Sequence, residues 1–285
     1  MKNDEFQACL QAEVENFKQS IATDEGDWII KGFIDIFERV YTITVDTKVV
    51  SKVLEILLYP QLEAFASKYD LTLELPRFQN HYPDATFICK DGTKFALDIK
   101  STIRKTSTTV NMMTLGAFTG YFRNRDGSQA SEKNITYPYS DYSGHFVLGV
   151  IYSQNKDASD ERKSFSITEL GNISSVIYGF DFFVQPKFRI ATGSPGSGNT
   201  KNIGSCTNIQ QLKSGSGPFH ALGEDVFDDY WMYYLTEDMA KKEDASRPYN
   251  NLSSYLEYKN RFMDRIDLSP AAMAKLAEDE EQSNE

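Results

Sequence analysis

The chain is predicted to fold as a mixed α/β protein, on three observations. Apolar residues recur at helical spacing in two N-terminal segments and again toward the C-terminus. Short runs of strand-forming residues lie between them, and one pair of runs is joined by Asp91-Gly92, a hairpin signal. No internal repeat or Pro/Gly-rich linker divides the chain. One domain over residues 1–268 is therefore expected, followed by an acidic tail at 269–285 that is free to move at its end.

The elements follow in order. Phe6, Cys9, Leu10, Val14, Phe17 and Ile21 set a helical period over residues 5–22. Asp46-Thr47 marks a helix start, followed by Val49, Val50, Val53, Leu54, Leu57 and Leu58. Pro60 is expected to kink or restart that helix, which then resumes to about Lys68. Residues 71–75 form a short strand candidate, and residues 84–90 and 94–100 form the hairpin around Asp91-Gly92. Residues 101–143 are mixed, with basic clusters at Arg104-Lys105 and at Arg123 and Arg125. The continuous apolar run at 146–152 predicts a buried strand, and residues 181–190 another. Residues 192–205, rich in Gly, Ser, Asn and Thr, predict a long loop. Residues 225–241 and 252–265 predict helices.

At 285 residues the chain can bury a sizeable core. No apolar run approaches the roughly 20 residues that span a bilayer, and the acidic N-terminus lacks a secretory apolar stretch. The expectation is therefore no membrane. Cys9, Cys89 and Cys206 are too few and too widely spaced for a zinc pattern or a disulfide framework, which suits a reducing cytoplasm. The net charge of −11 runs against a broad nucleic-acid footprint. Its distribution softens the objection: residues 1–30 carry seven acids and two bases, and residues 269–285 carry five acids and one base. The middle of the chain is near neutral, so any basic surface is localised.

The hairpin carries the chemistry. Pro83-Asp84 opens its first strand, and Asp98-Ile99-Lys100 lies in its second. Alternation puts Asp98 and Lys100 on one face, and the hairpin brings Asp84 near both. Two carboxylates beside an ammonium can hold a hard divalent cation and act on a phosphate; two surface aspartates and a solvated lysine are the plainer reading. Glu55, taken alone, reads as a solvated helix position. The loop from Gly193 to Thr200 nearly spells a phosphate-binding P-loop, but Asn199 stands where the lysine should be and no helix signal follows, so no nucleotide cofactor is expected. Its glycines instead allow close backbone approach to a surface, and Asn can bond an adenine edge. Phe78-Gln79-Asn80-His81 supplies amides that can read groove edges. His81 reads as a hydrogen-bonding loop residue, and His145 and His220 as structural.

Taken in order, these segments resemble one family. Asp46-Thr47-Lys48-Val49, then Gln79 to Asp84, then Asp98-Ile99-Lys100, then Gly196-Ser197-Gly198-Asn199-Thr200 are similar to type II restriction endonucleases of the PD-(D/E)xK superfamily. Thr114-Leu115-Gly116 and Tyr137-Pro138 fit the same pattern, and the similarity runs from about residue 40 to residue 265.

The resemblance implies a restriction-endonuclease-like α/β fold with a mixed, largely antiparallel central sheet flanked by helices. It implies a homodimer acting on double-stranded DNA with Mg²⁺ as cofactor. Asp84 and Asp98 fall on the family's metal-binding acids, Lys100 on its catalytic lysine, and Glu55 on a helix-borne acid that assists the site and its metal. Gly196, Ser197, Gly198, Asn199 and Thr200 match a recognition loop in the major groove, and Gln79 and Asn80 a loop on the minor-groove side. The unbroken loop match implies the palindrome GATATC, cut bluntly at its centre to leave 5′-phosphate ends. The N-terminal segment and the tail look like extensions to the family pattern, and residues 103–113 match it poorly. Another nuclease with the same core, acting in repair or junction resolution, stays open, as does a noncatalytic DNA-binding protein.

Overall fold

The computed structural model describes residues 1–122, 134–158, 162–196, 201–242 and 246–262. Its strands are β1 (Gly32–Ile34), β2 (Arg39–Thr42), β3 (Thr72–Glu74), β4 (Ala85–Ile88), β5 (Lys94–Ile103), β6 (Thr114–Ala117), β7 (Tyr142–Gln154), β8 (Ser164–Ser166), β9 (Ile177–Pro186), β10 (Ala191–Pro195) and β11 (Asn202–Ser205). Its helices are α1 (Asn3–Ala12), α2 (Val14–Gln19), α3 (Thr47–Lys68), α4 (Thr119–Phe122), α5 (Lys187–Ile190), α6 (Ile209–Ser214), α7 (Glu224–Tyr233), α8 (Glu237–Lys242) and α9 (Leu252–Phe262).

The central sheet has the order β3-β4-β5-β7-β9. Only the β5–β7 pair is parallel; the other pairs are antiparallel. This is the mixed, largely antiparallel sheet expected. Two small antiparallel sheets, β1-β2-β8 and β10-β11-β6, flank it. The apolar run in β7 is explained by burial on both faces. Phe146, Leu148, Val150 and Tyr152 join one core with α1, α2 and α3, while Val147 and Ile151 join the other with α7 and α9. Among the described residues no helix is long and apolar enough to cross a membrane.

The N-terminal segment packs into the core. Its helical period breaks at Glu13 into α1 and α2. Phe6, Leu10, Phe17 and Ile21 nevertheless all enter the core, and Phe6 stacks on Phe95 of β5 with ring centroids 4.3 Å apart. Asp46 caps α3 by accepting from the N–H groups of Lys48 and Val49. The helix continues through Pro60 rather than restarting. The carbonyl that Pro60 leaves without an amide partner belongs to Ile56, whose side chain is exposed, so water can reach that face. Leu54, Leu58, Leu62 and Phe65 hold both halves on the core.

Three further expectations are corrected. The strand read over residues 181–190 starts earlier and ends at Pro186, where the ladder gives way to the single turn α5. Residues 192–205 are not one loop: β10 and β11 pair across them, and residues 197–200 lie outside the described set, as do 123–133 with Arg123 and Arg125. The helix expected over 225–241 is two, α7 and α8. The acidic tail lies outside the described residues.

Charge is buried behind the sheet. Lys187, at the start of α5, is 2% exposed and faces the Tyr82 ring at 5.1 Å. Burial lowers its pKa to about 8 against the pull of Asp98 and Asp228. Glu224 at the start of α7 is pushed up to about 7 by burial, then by Asp228 and Asp225. A carboxyl that holds its proton more tightly when folded makes stability fall as pH rises from about 4.5 to 7. Glu224→Gln removes that titration. Its melting temperature relative to the parent chain should climb between pH 5 and pH 8, and a constant difference would contradict the assignment. Phe6→Ala should cost about 3–5 kcal/mol in urea unfolding; a loss below about 1 kcal/mol would return the N-terminal segment to the status of an appendage.

Candidate active site on the open edge of β5

The site originates in unequal strand lengths. Pairing between β4 and β5 ends at Ala85 and Leu97, but β5 runs on to Ile103. The hairpin turn fixes this register: Gly92 adopts φ +87°, which a residue with a Cβ tolerates poorly, and donates to the Cys89 carbonyl. Continuing the register sets Asp84 opposite Asp98. The first N–H of β5 beyond the pairing, that of Ile99, is met by Oδ2 of Asp84 at 2.8 Å. Asp84 thus ends the ladder by side-chain substitution, and the edge beyond it opens into a cleft.

Lys100 stands between the acids. Its Nζ lies 3.4 Å from Asp84 Oδ2 and 3.1 Å from Asp98 Oδ2. Asp98 is 3% exposed, and its Oδ2 is buried without a hydrogen bond. The Lys100 contact answers its charge but not its hydrogen-bonding capacity. Burial pushes the Asp98 carboxyl up; Lys100 pulls it down and Asp84 pushes it up again, with a net rise. For Lys100, burial opposes the charge, but Asp84 and Asp98 outweigh it and hold the ammonium above its ordinary range. The arrangement is a pair of carboxylates with Lys100 between them and Lys187 acting on Asp98 from the buried side, and the unbonded Asp98 oxygen keeps acceptor capacity.

A cleft of about 510 Å³ opens beside Asp84 and Lys100, lined also by Ser101, Asn202, Ser51 and Glu55. Glu55 lines the same cleft, but its Oε1 is occupied. It accepts from Lys52 Nζ at 2.6 Å and from the Tyr59 hydroxyl. Among the described residues no three His, Cys, Asp or Glu side chains close into a preformed metal cluster.

An adjoining cleft of about 480 Å³ shares Asp84, Lys100, Gly116 and Asn202 and adds Asp98, Gln79, Asn80, Tyr121 and Lys201. The amide run thus shares a cleft with the charged trio. Of the glycine-asparagine loop, Gly196 is described; Ser197, Gly198, Asn199 and Thr200 are not. Gly196 sits against β6 and β11, where a Cβ would come within 2.7 Å of the Thr114 side chain and 2.9 Å of the Ile203 carbonyl. Only glycine fits the root of that loop. His81 packs on Phe78 and lines the second cleft, while buried His145 bonds Tyr82 at 2.7 Å. Burial holds His145 well below its ordinary pKa, a structural histidine as expected.

Sequence reasoning missed Lys201 and Asn202, which follow the loop and line the clefts, and Ser51, whose hydroxyl bonds that of Ser101 at 2.7 Å. It also missed Lys52 and Tyr59. Their spacing from Glu55, three back and four forward on α3, was a usable signal.

With this geometry in view, the comparisons with known proteins agree. The family described as Restriction endonuclease EcoRV matches residues 24–260. The Type II restriction enzyme EcoRV of Escherichia coli is 34% identical over 227 residues, covering 79% of this chain and 88% of that one. The solved NlaIV restriction endonuclease aligns over 91% of this chain and 96% of its own at 10% identity, with a TM-score of 0.37, a likeness too distant to bear on the fold. The matched span contains the β4–β5 hairpin, both clefts and the root of the loop, and on that span this chain belongs to the EcoRV family of type II restriction endonucleases.

Proposed function

We propose that this endonuclease hydrolyses one phosphodiester in each strand of a short DNA palindrome, with Asp84, Asp98 and Lys100 as the cutting centre. The observation that carries the reading is the Lys100 ammonium between two carboxylates at a mouth shared by two clefts. The donor set fits a hard divalent cation such as Mg²⁺: oxygen ligands only, one of them a buried Asp98 oxygen that makes no hydrogen bond. Asp84 and Asp98 would hold the ion, with Glu55 as the third acid on the cleft wall. When bound, such an ion neutralises developing charge on the phosphate and lowers the pKa of a coordinated water.

The chain's own groups do the rest. Lys100, kept cationic by its two acids, faces the charge that accumulates on the phosphate oxygens and steadies the attacking water. The bond from water to phosphorus forms as the P–O3′ bond breaks, leaving 5′-phosphate and 3′-hydroxyl ends. Gln79 and Asn80 would meet the minor-groove side, and the loop Gly196 to Thr200 the bases in the major groove. The unbroken loop sequence favours GATATC with a blunt central cut.

A palindrome calls for a two-fold partner. The β1-β2-β8 sheet carries a suitable surface: Phe33, Ile34, Ile36 and Phe37 are 54%, 57%, 90% and 71% exposed, with Ile167 and Leu170 beside them. Apolar exposure clustered this way marks an interaction site.

A Mg²⁺-supplemented digest of a plasmid of known sequence should yield blunt, 5′-phosphorylated ends within GATATC. Asp98→Ala and Lys100→Ala should each lose about 10²–10³-fold in rate, the scale of removing one preorganised electrostatic group. Full cutting by either variant overturns the assignment, and cutting confined to branched DNA favours the repair or junction-resolving reading. Ile36→Asp combined with Phe37→Asp should sediment as a monomer and lose concerted double-strand cutting. An unchanged dimer would move the interface elsewhere.

A further inference from the structure

We propose that Tyr59 is the positioning residue of Glu55, fixing one carboxylate oxygen so that the other is free for a cation in the cleft. The proposal rests on the assignment of Glu55 to the cation site above.

Ser51, Lys52, Glu55 and Tyr59 lie on one face of α3, at spacings of three and four residues. Both partners of the Glu55 carboxylate meet the same oxygen: Lys52 Nζ donates to Oε1 at 2.6 Å, and the Tyr59 hydroxyl donates to Oε1. Neither meets Oε2. A carboxylate pinned twice through one oxygen has its torsion set, and the second oxygen keeps its acceptor capacity. Glu55 lines the cleft that Asp84 and Lys100 also line, so that capacity is available to the proposed site.

The two partners are not equivalent. The Lys52 side chain is 44% exposed, and an exposed pair at i, i+3 is screened and weak. Tyr59 is half-buried and its ring is rigid, so its hydroxyl holds the carboxylate oxygen at less cost in side-chain freedom than the long Lys52 stem. Burial, then Glu55, then Asp84 hold the phenol above its ordinary range. The carboxylate can only accept, so the phenol hydroxyl is the donor in this bond. Groups that orient a ligand through its second oxygen commonly alter metal affinity by about 10-fold or more when removed.

The test uses Mn²⁺ alone, titrated into the full chain, with free ion counted by electron paramagnetic resonance. The parent chain is compared with Tyr59→Phe, Glu55→Ala and the double variant, and matched melting curves establish the fold of each. Phenylalanine keeps the ring and removes only the hydroxyl. Tyr59→Phe should weaken Mn²⁺ binding about 10-fold. Glu55→Ala should weaken it as well, and the double variant should bind no worse than Glu55→Ala, because the hydroxyl acts only through that carboxylate. Parent-like binding by Tyr59→Phe, with Glu55→Ala weakened, overturns the positioning role and leaves the cation-site reading standing. A loss by Tyr59→Phe that persists in full on the Glu55→Ala background also overturns it. Parent-like binding by Glu55→Ala overturns the role of Glu55 and the proposal with it.

Discussion

Everything at the site depends on one ammonium group. Lys100 Nζ lies 3.4 Å from Asp84 Oδ2 and 3.1 Å from Asp98 Oδ2, and the buried Lys187 adds a weaker pull on Asp98. Two carboxylates brought together in a partly desolvated edge would repel each other and drive a proton onto one of them. The lysine keeps the pair tolerable without neutralising it. One buried Asp98 oxygen stays without a hydrogen bond, which leaves the centre an acceptor for a positive ligand. A lysine free to swing into solvent would not do this; both acids raise the affinity of Lys100 for its proton and so hold it in place.

The sheet makes that geometry possible by stopping early. Because β4 starts only at Ala85, its ladder with β5 stops at Leu97, and the next backbone bond on that side of β5 comes from the Asn111 N–H to the Ile103 carbonyl. An unpaired edge is usually a liability. Here Asp84 takes the first N–H, and the cleft wall supplied by α3 covers the approach. The same stop that exposes the edge aligns the acid with it. Behind β5, the parallel partner β7 is buried on both faces, so the strand carrying Asp98 and Lys100 sits on a rigid support. The N-terminal helix adds to that support through the Phe6–Phe95 stack, just outside the span that matches the family.

Much of this was legible in the sequence. Alternation placed Asp98 and Lys100 on one face, and Asp91-Gly92 fixed the hairpin that sets Asp84 against them. The N-cap at Asp46 and the buried strand β7 could be read directly. What was illegible was tertiary. Burial of α1 and α2 against β5 depends on contacts far along the chain, and the break at Glu13 leaves no composition signal. The β10–β11 pairing hides in residues typical of loops, because its stability comes from β6 rather than from strand propensity. Glu55 looked solvated because helical spacing says which residues share a face, not what that face meets. The buried Lys187 and the half-buried Glu224 were invisible for the same reason.

The central claim is that Asp84, Asp98 and Lys100 form the centre at which the phosphodiester is cut. The most direct measurement is a crystal structure of the protein with a GATATC duplex and Mn²⁺, read by anomalous difference density. The account predicts an ion bound by Asp84 and Asp98, a scissile phosphate in contact with it, and Lys100 within hydrogen-bonding distance of that phosphate. A duplex seated elsewhere, or an ion bound away from the two aspartates, would contradict it.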